Sequence, residues 1–338
     1  MSSMWSVLRR LPPQRRKRRS DYGRVEWGQN EDASFVNAIE TFGLGKAYRG
    51  LPAVRDLNLL VPQGSVFGFL GPNGAGKTTT IMMLLGNIRP TTGNAQLLGK
   101  PIGDVAIRRR VGFLPEKFQF HDFLTAVEFL NLHGKLSGMD GAWRARRVPE
   151  VLERVGLADR ARSKLREFSK GMQQRIGLAQ AILHDPDLVI LDEPTSALDP
   201  LGRRDVRDII NELRTEGKTV LVNSHLLSEI EMTCDQVAII KRGQVAAQGT
   251  IEELLAFSST VEVEVRDMND AAMAAVRQVT PRLKFERVPI TRFTAWVHSE
   301  DDIPELARAL VQNGARLVAL IPKRETLEEL FVRVIEGK

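Results

Sequence analysis

The stretch Gly71-Pro72-Asn73-Gly74-Ala75-Gly76-Lys77-Thr78-Thr79 decides how this chain folds. It fits the pattern G-x-x-x-x-G-K-[ST]. Before it lies an apolar run, Val66 to Leu70, that reads as a buried strand. After it, Ile81 to Leu85 reads as the start of a helix. Strand, glycine-rich turn and helix form the context that turns such a pattern into a phosphate cradle. The glycines let backbone N–H groups converge on phosphate, and the helix N-terminus adds positive potential. In that reading Lys77 reaches the terminal phosphates and Thr78 places its hydroxyl on Mg²⁺.

Further along, Leu188-Val189-Ile190-Leu191 is an apolar run ending in Asp192 and Glu193. A strand that delivers two acids to a phosphate site can serve a metal with one and an attacking water with the other. Asp192 is expected to hold Mg²⁺, and Glu193 to orient or deprotonate water. Alone, such a strand end would be two solvated acids. Paired with the phosphate loop it reads as the second half of a nucleotide site.

Composition bounds the rest. The chain has 338 residues, enough for two domains, with 43% hydrophobic and 27% charged residues. No stretch approaches the roughly 18 consecutive apolar residues of a membrane span. The basic start is not followed by an apolar core, so no secretory signal is expected. The single cysteine, Cys234, excludes an intrachain disulfide and reads as an inert core thiol. The net charge of +6 belongs to one end of the chain. Residues 1–20 hold seven Lys/Arg and no acid, leaving 41 bases against 42 acids elsewhere. A nucleic-acid-binding fold would carry its basic face on the folded part, so no nucleic acid is expected as a partner. Residues 1–34 read as a basic disordered tail. Trp5, Val7, Leu8 and Leu11 among its arginines could touch an anionic membrane surface, but a solvated extension, or a start codon called too early, is the favoured reading.

Regular patterning starts near Phe35. Strand patterns fall at 35–41, 52–62, 65–70, 111–114, 187–192, 219–223, 236–240 and 244–248, several as continuous apolar runs suited to a parallel sheet buried on both faces. A helical, charged block at about 115–180 reads as an inserted subdomain. From residue 257 a second unit follows. Val261-Glu262-Val263-Glu264-Val265 alternates as a half-buried strand. The order β-α-β-β-α-β over 261–321, with a last helix at 326–336, suggests a small ferredoxin-like α+β unit spanning 257–338.

Phe168-Ser169-Lys170-Gly171-Met172-Gln173-Gln174-Arg175 brings a family into view. The octet resembles the signature motif of the ABC-type ATPases, usually L-S-G-G-Q. Ser169 and Gly171 match, whereas Phe168, Lys170 and Met172 depart from it. Ser196-Ala197-Leu198-Asp199 resembles the family's D-loop, and Asn223-Ser224-His225 its switch-histidine loop. Tyr48 matches the aromatic that stacks on adenine. The resemblance covers about residues 35–250, and the S-K-G-M form is similar to the drug, polysaccharide and sodium exporter branch. It implies an α/β P-loop nucleotide-binding domain over 35–256, with ATP and Mg²⁺ as cofactors.

The same resemblance implies the site. Lys77, Glu193 and His225 would be catalytic. Tyr48, residues 71–79, Ser169, Gly171 and Asp199 would bind ATP, and Thr78, Asp192 and Glu116 the metal. Two such chains, identical or related, would sandwich two nucleotides and drive membrane-spanning permease subunits from the cytoplasmic face. One position departs from the family. The glutamine expected after the strand at 111–114 is Glu116, with Gln119 as the alternative if the loop shifts. A soluble ABC ATPase acting on DNA, ribosomes or iron–sulfur assembly is the second reading. A nucleotide sensor without turnover is the third, and Glu193 speaks against it.

Overall fold

Long apolar runs need cover on both faces, and the fold supplies it. The computed structural model describes residues 37–255, 259–286, 291–297, 299, 301–323 and 325–337. The basic tail at 1–34 lies outside them.

The chain opens with β1 (Asn37–Tyr48), β2 (Leu51–Leu57), β3 (Leu60–Pro62) and β4 (Val66–Leu70), followed by α1 (Lys77–Leu84). The stretch 52–62 is therefore two strands. Asp56, at φ 43°, and Asn58, whose side-chain amide donates to the Asp56 carbonyl at 3.0 Å, turn the chain between them. Next come β5 (Thr92–Leu97), β6 (Lys100–Pro101) and β7 (Val111–Leu114). β5 escapes a reading by periodicity because only Ala95 and Leu97 of its six residues are buried. The helical block holds α2 (Ala126–Leu136), α3 (Gly141–Arg154) and α4 (Lys170–Ile182). Thr125 and Glu128 close a reciprocal capping box at the start of α2. Then follow β8 (Leu188–Asp192), α5 (Pro200–Thr215), β9 (Thr219–Asn223), α6 (Leu227–Thr233), β10 (Gln236–Lys241), β11 (Gln244–Thr250) and α7 (Ile251–Leu255).

One six-stranded sheet runs β11-β10-β4-β9-β8-β7, parallel except for β11. Every residue of β4, β8 and β9 is buried. On one face Phe67, Phe69, Ile190 and Leu221 meet α1 and the antiparallel sheet β2-β1-β5-β6. On the other, Val66, Val189, Leu191 and Val222 meet the helices. β4, β9 and β8 are adjacent, with Asp192 paired to Asn223. Their carboxyl ends therefore open at one edge, which is where parallel sheets collect their ligands.

Close packing makes one glycine exacting. A Cβ on Gly112, in β7, would run into the Ala181 carbonyl of α4. The neighbour is backbone and cannot rotate away. Gly112→Ala is expected to cost about 1–3 kcal/mol of stability, read as a lower melting temperature with the fold retained by circular dichroism.

The C-terminal unit contains β12 (Ser259–Arg266), α8 (Asp270–Val279), β13 (Leu283–Glu286), β14 (Thr291–Val297), α9 (Asp302–Gln312) and β15 (Arg316–Lys323). Its sheet order, β13-β14-β12-β15 with all pairs antiparallel, is ferredoxin-like. Val261, Val263 and Val265 turn inward onto Ala272, Val276, Leu306 and Leu310. The last helix, α10 (Leu327–Glu336), does not join that core. It packs on α6, α7 and β10, and Leu327 and Leu330 enter the core of the nucleotide-binding part. The sequence assigns this helix to the C-terminal unit by position alone, because an amphipathic pattern does not say which neighbour covers it.

Candidate nucleotide site

The phosphate loop begins where β4 ends. Gly74 and Gly76 take φ 78° and 104°, conformations that favour glycine. At Gly71 a Cβ would meet the Ile240 carbonyl at 2.5 Å, and at Gly76 the Ala53 carbonyl at 2.6 Å. The helix that follows starts earlier than its apolar residues suggest. Gly76 is its N-cap, so Lys77, Thr78 and Thr79 already form the first turn. The reason is local: polar residues suit a first turn whose N–H groups lack intrahelical partners.

A cleft of about 290 Å³ opens over this turn. Asn73, Gly74, Gly76, Lys77, Thr78 and Thr79 line one side, and Ala53, Glu116, Glu193 and Asn223 line the rest. Lys77 Nζ donates to the Gly71 carbonyl at 2.7 Å and to the Pro72 carbonyl at 3.3 Å. Burial lowers its pKa from the ordinary lysine value, against the pull of Glu193, Asp192 and Glu116.

Asp192 is only 2% exposed and accepts a hydrogen bond from Asn223 Nδ2. Burial raises its pKa; the Asn223 bond opposes that, the nearby Glu116 charge adds to it, and Lys77 opposes it. Glu193 sits at φ 56°, a left-handed conformation unusual for a non-glycine residue. Its N–H donates to the Asn223 carbonyl at 2.8 Å, and its carbonyl accepts from Gln174 Nε2 at 3.1 Å and Ser196 Oγ at 3.2 Å. These bonds hold a strained turn in place. The Glu193 carboxylate contacts His225 Nδ1 at 2.7 Å. Burial raises its pKa, and His225 opposes the shift.

The other expected residues stand apart from this cleft. Tyr48 is 45% exposed at the end of β1, with Lys46 Nζ 5.3 Å from its ring centroid. Ser169 caps α4 by accepting from the Met172 N–H at 3.3 Å, and Gly171 lies in the first turn of that helix. Asp199 caps α5 by accepting from the Gly202 N–H at 2.9 Å. None of these four lines the cleft. Of the two candidates after β7, Glu116 does and Gln119 does not. Ala53, Asn223 and Gln174 join the site without having been singled out. Asn223 and Gln174 stand in the motifs read above without a role given to them, whereas Ala53 carries no signal of its own.

Three other titratable groups, His184, His133 and Cys234, are structural. His184 Nε2 lies 3.2 Å from the Val111 carbonyl, and His133 packs 4.4 Å from Phe129 between ring centroids. Burial pushes the Cys234 thiol well above the usual thiol range, as suits an inert core residue.

The oxygens present suit magnesium. Thr78 Oγ1, the Asp192 carboxylate and Glu116 are hard donors, and Asn223 Oδ1 is a buried oxygen without a partner. Among the described residues no three His, Cys, Asp or Glu side chains converge to cage a metal. That donor set fits an ion which keeps waters and phosphate oxygens in its shell.

Known proteins resemble this chain in sequence and fold. Residues 54–196 match the ABC transporter family. An uncharacterized ABC transporter ATP-binding protein of Synechocystis is 42% identical over 90% of this chain and 86% of its own length. The chain belongs to the ABC transporter ATP-binding proteins. The Nod factor export ATP-binding protein I of Cupriavidus pinatubonensis is 35% identical over 88% of this chain and 90% of its own. A dimeric post-hydrolysis structure of the ATP-binding cassette MJ0796, bound to ADP and Pi, superposes with a TM-score of 0.59 at 26% identity. It covers 63% of this chain and 98% of that one. This ABC protein is thus an ATP-binding and ATP-hydrolysing subunit of a transporter. Among its described residues no helix is long and apolar enough to cross a membrane.

Proposed function

We propose that two copies of this chain, or one copy and a related chain, close on two Mg-ATP molecules and drive permease subunits that export a substrate. Attached to membrane-spanning subunits, the chain would work peripherally on the cytoplasmic face. The observation that carries the site assignment is the Glu193–His225 contact at 2.7 Å, with Glu193 lining the same cleft as Lys77.

Each side chain has a task its position allows. Lys77 exchanges its bonds to the Gly71 and Pro72 carbonyls for β- and γ-phosphate oxygens. The N–H groups of residues 73–79 supply the remaining donors. Thr78 and Asp192 would hold Mg²⁺, with Glu116 as a further oxygen, and the ion when bound supplies charge neutralisation at the phosphates. Glu193 accepts the proton of the attacking water, and its raised pKa makes its carboxylate a stronger base. His225 orients that carboxylate and reports on the terminal phosphate. Tyr48 stacks on the base. Ser169 and Gly171 stand at the exposed start of α4, away from their own cleft, as fits groups that meet the nucleotide of the opposite copy. Asp199 then lies at the same shared face.

Export as the direction rests on relatives such as the Nod factor export protein. Purifying the tagged chain from mild detergent tests the transport role. Recovery of a membrane protein with several spans supports it; recovery of ribosomes or DNA instead overturns it.

Glu116 gives a separate prediction. A carboxylate beside the γ-phosphate repels nucleotide unless a metal lies between them. Glu116→Gln is expected to leave Mg-ATP affinity within about threefold and to tighten metal-free ATP, since removing one nearby like charge is worth about 1 kcal/mol. Titration of a fluorescent ATP analogue with and without EDTA reads both. Abolished binding in the variant would place the loop differently.

A further inference from the structure

The two ends of α10 touch two different parts of the nucleotide site. At its start the Leu327 N–H donates to Glu231 Oε2 at 3.0 Å. Glu231 lies on α6, which begins two residues after His225. Beneath this contact Leu327 and Leu330 share a core with Ile230 and Cys234. At the other end Lys241 Nζ donates to the Val334 carbonyl at 3.1 Å. Lys241 closes β10, and the turn after it reaches the phosphate loop: the Gly243 N–H donates to the Ala75 carbonyl at 2.9 Å. The Ile240 carbonyl lies against Gly71 in the same place.

The helix is also tied to the C-terminal sheet. It follows β15, which pairs with β12 from Thr260 to Arg266. Arg333 grips Glu325, just before the helix, with two bonds at 3.0 and 2.7 Å.

We propose that α10 is a positioning helix for ATP turnover, with one arm on the His225 segment and one on the phosphate loop. The inference rests on the roles given above to His225 and Lys77. Apolar burial alone would attach the helix. The polar contacts stand at its ends, and each reaches a segment that carries site residues. Glu231 places a carboxylate on the first free N–H of α10, where helix charge favours it. Through that bond the position of α6, and so of His225, depends on the helix. Through Lys241 and the β10–β11 turn, the shape of the phosphate loop depends on it as well.

Steady-state ATPase assays of the full chain across ATP concentrations test this. Glu231→Ala is expected to lower kcat about threefold with KM unchanged, the size of a lost helix-terminus contact. Glu231→Gln keeps an acceptor for the Leu327 N–H and is expected to restore kcat. Lys241→Ala is expected to raise KM with kcat kept. Equal loss in Glu231→Ala and Glu231→Gln, accompanied by a lower melting temperature, would mean mere structural support and overturn the proposal. So would a wild-type kcat in Glu231→Ala while His225→Ala is inactive. A fully active His225→Ala would instead overturn the role given to His225.

Discussion

Glu193→Gln is expected to lower the ATPase kcat by about two to four orders of magnitude, the usual worth of a positioned general base. The amide keeps the shape of the carboxylate and can still meet His225, but it cannot take a proton. ATP should bind at least as well as before, because the substitution removes a negative charge near the γ-phosphate. A dimer that closes on ATP and cannot hydrolyse it should then accumulate. Size-exclusion chromatography with multi-angle light scattering, in ATP and magnesium, reads that directly. Unchanged turnover in this variant would falsify the general-base assignment. Monomers alone, with ATP bound, would remove the shared-site reading of Ser169 while leaving Glu193 in place.

The second large effect belongs to Lys77. Its ammonium group now satisfies two loop carbonyls, so it is held at the loop before nucleotide arrives. Lys77→Ala removes charge-assisted hydrogen bonds worth about 1.5–3 kcal/mol each. The expected result is a rise in ATP Kd of about tenfold to a hundredfold, with turnover lost at ordinary ATP concentrations. Isothermal titration with a non-hydrolysable analogue measures it. The loop should keep its shape, because Gly71 and Gly76 are constrained by the Ile240 and Ala53 carbonyls rather than by the lysine. Unaltered affinity would show that the cleft over α1 is not where phosphate binds.

These two variants differ in what they separate. Lys77→Ala weakens the ground state, so binding fails first. Glu193→Gln leaves the ground state and removes a group needed as the water attacks. A chain that merely sensed nucleotide would respond to the first and not to the second.

Much of this site was legible in the chain itself. Residues 71–79 carry their chemistry in a contiguous run, since a phosphate cradle is built from consecutive backbone N–H groups. Asp192 and Glu193 were legible because a fully buried strand announces itself as an apolar run, and its first polar residues mark its end. The β-α-β-β-α-β order of the C-terminal unit was readable from alternation, as the buried valines and half-buried glutamates of β12 bear out. Contacts made by backbone or by distant side chains left no such trace. Gln174 reaches the Glu193 carbonyl across 19 positions, and Ala53 shapes the cleft with a carbonyl that any residue possesses.

The sequence by itself therefore determined which residues were candidates for the site, because local runs of glycine, lysine and acid limit which groups can face phosphate. Only the tertiary structure decided who the neighbours are. Adjacency of β4, β9 and β8 brings His225 to Glu193, and the seat of α10 ties the end of the chain to the site. The physical reason is that periodicity encodes which face of an element must be buried, while packing against a particular partner depends on shape and on contacts between residues far apart in the chain, 96 positions for Leu327 and Glu231.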